Sequence, residues 1–309
     1  MDNAIKNGLN AIRGDREKGA SQLAEDGVRL MGEALKTAGG ASGLEVLESA
    51  REVLPELVAV RPSMAPIASW AVEFYGVLKD MSTERDAAFG DELTAAAVLR
   101  TLDLKREVDR RIAEEGGRAL ADVRSVLTLS HSSTLERIFT KTAPEDIEII
   151  IAESRPLCEG RTMARSVVDS GRRATIITDA QIGIFARSVD MVILGADTIC
   201  ADLAVVNKTG SYLAAIAARE AGKPLVVAAD TYKINHRETS SDVSLEEKDG
   251  AEVWSEKAEI CRNIYFETVL AGLVTGYLTE KGLLDGEGMM GEVRGRKRVE
   301  EAALAPDDV

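Results

Sequence analysis

Residues 190–212 read DMVILGADTICADLAVVNKTGSY. A short apolar run, Met191 to Leu194, ends in Gly195 and Ala196, and a carboxylate follows at Asp197. Such a run reads as a strand buried on both faces, the kind a parallel sheet uses. In an open α/β sheet, ligands sit outside the carboxyl ends of the strands, so Asp197 is expected at the mouth of a crevice. A helix is expected over residues 207–221, with Asn207 and Lys208 at its start. The first N–H groups of that helix, with the lysine beside them, would suit an anion. The stretch alone predicts a pocket for a sugar phosphate or a nucleotide phosphate.

The neighbouring sequence repeats the pattern. From about Gly116–Gly117 onward, strand candidates at 124–129, 147–152, 174–178, 191–194 and 225–229 alternate with helix candidates at 133–142, 161–170, 180–187 and 207–221. Apolar strands alternating with helices imply a parallel sheet covered on both faces. Polar residues gather where the strands end: Ser130 to Ser133, Glu153 to Arg155, Thr178–Asp179, Asp197 and Asp230.

Residues 1–115 read differently, as helices at 20–35, 43–60, 66–78 and 89–113. Gly39 and Gly40 close the first, and Pro55 is a candidate kink in the second. Residues 237–256 are polar and acidic and read as a surface excursion, and residues 285–309 as a loose tail. The expected organisation is therefore a helical domain (1–115), an α/β domain (116–284) and a tail.

Composition narrows the functional classes. The net charge of −14 argues against a nucleic-acid partner, which usually demands a basic stripe. No apolar run approaches the roughly 18 residues of a membrane span, and the N-terminus lacks the apolar core of a secretory signal. Cys158, Cys200 and Cys261 form neither a CxxC nor a disulfide framework, which suits a reducing cytoplasm. With only two histidines, a zinc site is not expected, and no metal or cofactor is assigned. A GxGxxG after a strand, a Walker loop and HExxH are all missing. Asp197 reads equally as the cap of a turn and as a general acid or base. His131 reads as a structural histidine or, at its strand end, as a ligand contact. Ser130 lacks the base-and-acid partners of a hydrolase triad.

Together, several segments resemble a known family. They are Gly19–Ala20, RPSMAP (61–66), VLTLSHSSTLERIF (126–139), ESRPLCEGRTMA (153–164), ITDAQIGIF (177–185), GAD with NKTGS (195–211), AADTYKIN (228–235) and NIYFE (263–267). The order and spacing resemble the family joining the alpha, beta and delta subunits of translation initiation factor 2B to two isomerases. Those are methylthioribose-1-phosphate isomerase and archaeal ribose-1,5-bisphosphate isomerase. The resemblance implies a helical N-terminal domain, a C-terminal Rossmann-like domain, a phosphorylated ligand between them, and a homodimer or larger homo-oligomer.

The family's isomerases are understood to use a cysteine at the end of the first Rossmann strand and an aspartate after Gly-Ala. The aspartate is Asp197, whereas the cysteine position holds Ser130. A hydroxyl is far harder to ionise than a thiol, whose reference pKa is about 8.5. The arginine before Gly-Ala is replaced by Lys18, with Arg16 nearby, and the glutamine after RPL by Glu159. Arg61, Asn207 and Lys208 match.

The resemblance thus implies a ligand site of Lys18, Gly19, Ala20, Arg61, Glu159, Asn207 and Lys208, with His131 and Arg155 as further candidates. The expected role is that of an initiation factor 2B-type protein. It would bind a phosphorylated pentose or a nucleoside monophosphate and contact initiation factor 2. The alternative is an aldose–ketose isomerase. There Asp197 would be the acid/base, Ser130 and His131 would polarise the reacting oxygen, and Lys18, Arg61 and Lys208 would hold phosphate.

Overall fold

The computed structural model describes residues 3–15, 18–37, 42–61, 64–84, 90–245 and 247–305. Arg16, Gly39, Gly40, Pro62, Ser63 and Phe89, which carried part of the sequence reading, lie outside them. The chain divides into two compact units. One comprises residues 1–107, 232–234 and 294–309; the other comprises 108–231 and 235–293.

The first unit is helical, with α1 (Asn3–Gly14), α2 (Ala20–Thr37), α3 (Gly43–Val58), α4 (Ala65–Glu84) and α5 (Gly90–Ala119), which runs on into the second unit. The sequence reading does not mark α1, whose Gly and Asn residues are poor helix formers. It is carried instead by burial of Ile5, Leu9 and Ile12 along one face. A capping box opens α3: the Ser42 hydroxyl accepts from the Glu45 N–H at 3.3 Å, and the Ser42 N–H donates to the Glu45 carboxylate at 2.9 Å. Pro55 does not end this helix, which continues to Val58. Leu23, Met31, Leu54, Leu57, Phe74 and Leu78 form the centre of the unit.

The elements that follow in chain order begin with β1 (Ser125–Leu129), α6 (Ser133–Arg137), β2 (Glu148–Ala152), α7 (Gly160–Asp169), β3 (Arg173–Ile177), α8 (Ile182–Phe185) and β4 (Met191–Leu194). Next come β5 (Thr198–Cys200), β6 (Val205–Lys208), α9 (Ser211–Glu220), β7 (Leu225–Ala228) and β8 (Ile234–Asn235). The last are β9 (Phe266–Val269), β10 (Gly276–Thr279), β11 (Gly282–Leu284) and α10 (Gly286–Leu304). The main sheet of the second unit has the order β11-β10-β7-β4-β1-β2-β3. All its pairings are parallel except β10 with β11. Its five inner strands are apolar and covered, with Val126, Ile149, Ile151 and Ile193 packed against Phe139, Met163 and Val167, while the edge strands β3 and β11 are partly exposed.

Two further features depart from the sequence reading. Residues 285–309, expected as a loose tail, form the nineteen-residue helix α10 as far as Leu304, with Met289 and Val293 buried. A second sheet, unforeseen, pairs β6 antiparallel with β5 on one side and β9 on the other. Its strands of three or four residues are too short to show a period.

Candidate functional site

The strand order reverses between β1 and β4. From β1 the chain moves outward through β2 and β3, returns to β4, and moves the other way through β7 and β10. Because these strands are parallel, their polar termini share one edge of the sheet. Ser130 follows β1 and Asp197 closely follows β4, so the two flank the switch point, where open α/β sheets place ligands.

Ser130 is buried and adopts a left-handed φ of 61°, an uncommon conformation for a residue with a side chain. Its N–H donates to the Ala152 carbonyl at 3.2 Å, which ties the end of β1 to that of β2. At Gly195 a methyl group would lie 2.6 Å from Ser132 Oγ, a side chain that would have to shift to admit it. His131 pairs with Glu136 at 3.0 Å. Burial pushes the Glu136 carboxyl up, but hydrogen bonds from Ser166 and His131 outweigh it and hold that group below its usual range.

Asp197 is half-buried, and its N–H donates to the Val206 carbonyl at 2.9 Å. Thr198 lies opposite Val206, and continuing that register places Asp197 opposite Asn207. The start of α9 differs from expectation. Asn207 and Lys208 are the last residues of β6, not the first turn of a helix. The helix begins at Ser211, after Gly210 turns the chain at φ 108°. The Asn207 amide donates to Ser211 Oγ at 2.8 Å. The end of α9 expected to attract an anion already has one. The Glu267 carboxylate accepts from the N–H groups of Gly210 and Tyr212 at 2.6 and 2.9 Å. Glu267→Ala is expected to lower stability by about 1–2 kcal/mol, as for loss of a strong N-cap. Urea denaturation would check this, and an unchanged midpoint would exclude a capping role.

Lys208 is similarly engaged. Its ammonium lies 2.5 Å from Glu159 Oε1 and 4.1 Å from the centre of the Tyr265 ring. Glu159 precedes α7 in the loop after β2, where Ser154 and Cys158 also have left-handed φ values. Asp179, at the end of β3, accepts from the N–H groups of Ser154 and Arg155, both at 2.8 Å. The Arg155 guanidinium donates to the Val253 carbonyl at 3.1 Å. Glu159 Oε2 and Ser154 Oγ are buried without a hydrogen-bond partner.

The remaining candidates belong to the helical unit. Lys18 and Arg61 meet around Asp15, whose carboxylate accepts from the Lys18 N–H at 2.8 Å and whose carbonyl accepts from Arg61 at 3.0 Å. The Lys18 ammonium lies 2.6 Å from Asp26, and that hydrogen bond raises its pKa. The Gly19 carbonyl accepts the N–H groups of Gln22 and Leu23 in the first turn of α2, and Ala20 is buried there.

Sequence reasoning missed Tyr265, Glu267 and Gly160 as parts of this architecture. The first two lie within the segment NIYFE, in which no local pattern singles out either residue. Among the described residues, no group of three or more His, Cys, Asp or Glu side chains is arranged to hold a metal ion. No helix among them is long and apolar enough to cross a membrane.

The chain is similar to known proteins over most of its length. The model of the initiation factor 2 subunit family matches residues 16–286. A translation initiation factor eIF-2B subunit 2-like protein of Pyrococcus horikoshii is 35% identical over 279 residues, covering 89% of this chain and 94% of that protein. The crystal structure of the Pyrococcus horikoshii OT3 translation initiation factor eIF-2B superposes with a TM-score of 0.75 at 30% identity, covering 94% of this chain and 100% of that one. Ribose 1,5-bisphosphate isomerase of Archaeoglobus fulgidus is 33% identical over 185 residues, 58% of this chain and 59% of the isomerase.

Proposed function

Because the chain belongs to the initiation factor 2 subunit family, we propose that it acts as an initiation factor 2B-type protein with a regulatory role in translation initiation. It binds a phosphorylated pentose or a nucleoside monophosphate at the switch point of its parallel sheet. Its output is a protein contact, made as a homo-oligomer and directed at initiation factor 2. The observation that carries this reading is Ser130. It stands at the end of β1, the position where the isomerases it resembles are understood to carry a cysteine, and it flanks the switch point opposite Asp197. A hydroxyl there can hold a ligand oxygen but does not supply a thiolate at neutral pH.

One observation favours a second reading, that of an aldose–ketose isomerase. Asp197 keeps its place after Gly195–Ala196 at the end of β4, where a carboxylate could shuttle a proton between adjacent carbons. Proton NMR of ribose 1,5-bisphosphate or methylthioribose 1-phosphate incubated with the protein separates the two readings. The expected result is no ketose signal, with AMP or ribose 1,5-bisphosphate still raising the melting temperature. Ketose formation that disappears in Asp197→Asn would overturn the binding-only reading.

A further inference from the structure

Lys208 and Glu159 make an unusual pair for a phosphate site. The lysine side chain is only 10% exposed, and a buried ammonium is tolerated when it is matched by a carboxylate. Glu159 supplies that match through Oε1 alone. Its Oε2 is buried and receives no hydrogen bond. A carboxylate oxygen withdrawn from water without a donor keeps its full desolvation penalty. A ligand that brings a donor removes that cost, whereas a phosphate dianion brings only further acceptors and negative charge. The other nearby feature suited to phosphate, the start of α9, is held by Glu267. An anion at Lys208 would meet the Glu159 carboxylate and an ammonium already paired with it.

We infer that Glu159 determines which part of a ligand is received here: by neutralising Lys208 and offering Oε2 to a donor, it makes this end of the site a receptor for sugar hydroxyl groups, with the phosphate bound elsewhere. The inference rests on the ligand-binding reading above. It treats the glutamate as the specificity-determining residue and Lys208 as its positioning partner. The aromatic ring of Tyr265 beneath the ammonium supports the same arrangement, because it holds the lysine without competing for Glu159 Oε2.

The test is calorimetric titration of the full chain and of Glu159→Gln with AMP, 2′,3′-dideoxy-AMP and inorganic phosphate. Wild type is expected to prefer AMP over the dideoxy analogue by about tenfold or more, since a site built around a hydroxyl rejects the analogue lacking it. In Glu159→Gln that preference is expected to fall at least threefold, because a neutral amide accepts about half as strong a bond as a carboxylate. The affinity of inorganic phosphate is expected to rise about fivefold as Lys208 is released. Equal binding of AMP and its dideoxy analogue by wild type would overturn the inference while leaving the ligand-binding reading intact. So would phosphate bound as tightly by wild type as by the variant. No binding of AMP or of ribose 1,5-bisphosphate would overturn the functional reading, and the inference with it. If Glu159→Gln does not fold, the wild-type comparison decides alone.

Discussion

Gly160→Ala is expected to destabilise the protein by about 3 kcal/mol, at the upper end of what overpacking a tight site costs. A methyl group at this position would lie 2.3 Å from the Ala152 carbonyl oxygen and 2.9 Å from Glu153 Cα. Both are backbone atoms, so no side-chain rotation relieves the clash. The Ala152 oxygen is also the acceptor for the Ser130 N–H, and the Gly160 N–H donates to the Glu153 carbonyl at 3.1 Å. Moving any one of these atoms therefore loosens the ends of both β1 and β2 at the switch point. Glu159 is the adjacent residue, so ligand affinity should fall together with stability. Gly195→Ala provides the contrast, since its methyl would meet only the Ser132 side chain. Urea denaturation with parallel AMP titration would check both, and a loss below about 1 kcal/mol in Gly160→Ala would remove the steric argument.

The second large effect lies in the helical unit. Trp70 is 2% exposed and stacks on Tyr232, with ring centres 3.8 Å apart and planes inclined by 9°. The Arg296 guanidinium lies 3.5 Å from the centre of the same tyrosine ring. Arg296 is itself 3.7 Å from the Glu73 carboxylate. Trp70→Ala removes the base of this pile and leaves a cavity, for an expected loss of about 4 kcal/mol. Trp70→Phe keeps an aromatic face and should recover more than half of that. Denaturation followed by circular dichroism would measure both variants. Equal losses for alanine and phenylalanine would show that the stacking geometry contributes little.

The legible parts of this fold share a physical cause. Strands β1, β2, β4 and β7 are buried on both faces, so each appears as an apolar run whose polar successor marks the functional edge. Ser130 and Asp197 could be placed for that reason. Asn207 and Lys208 could not, because Asn-Lys-Thr-Gly suits a helix start and a strand end equally. What decides is pairing with Glu267 and Phe266 on β9, about sixty residues later. The choice of partners is equally hidden. Nothing local to Lys208 points to Glu159, 49 residues away, nor anything local to Gly210 to Glu267, 57 residues away. The helix α10 was obscured by its own composition, rich in Gly, Glu and Arg, and its order follows from the burial of Met289 and Val293 and from Arg296 packed on Tyr232.

The helical unit is discontinuous along the chain, and this bears on how fragments of the protein can be made. An expressed piece ending near residue 107 would lack Tyr232 and Arg296, and would leave Trp70 with an uncovered face. Trimming the gene at residue 285, natural if the last segment were dispensable, would remove Arg296 and the Ala305 carbonyl that accepts a hydrogen bond from Arg51. A separable helical piece would need residues 232–234 and 294–305 supplied as a fused segment or as an added peptide. Such complementation would show directly how much of that unit's cohesion comes from its distant strands of sequence.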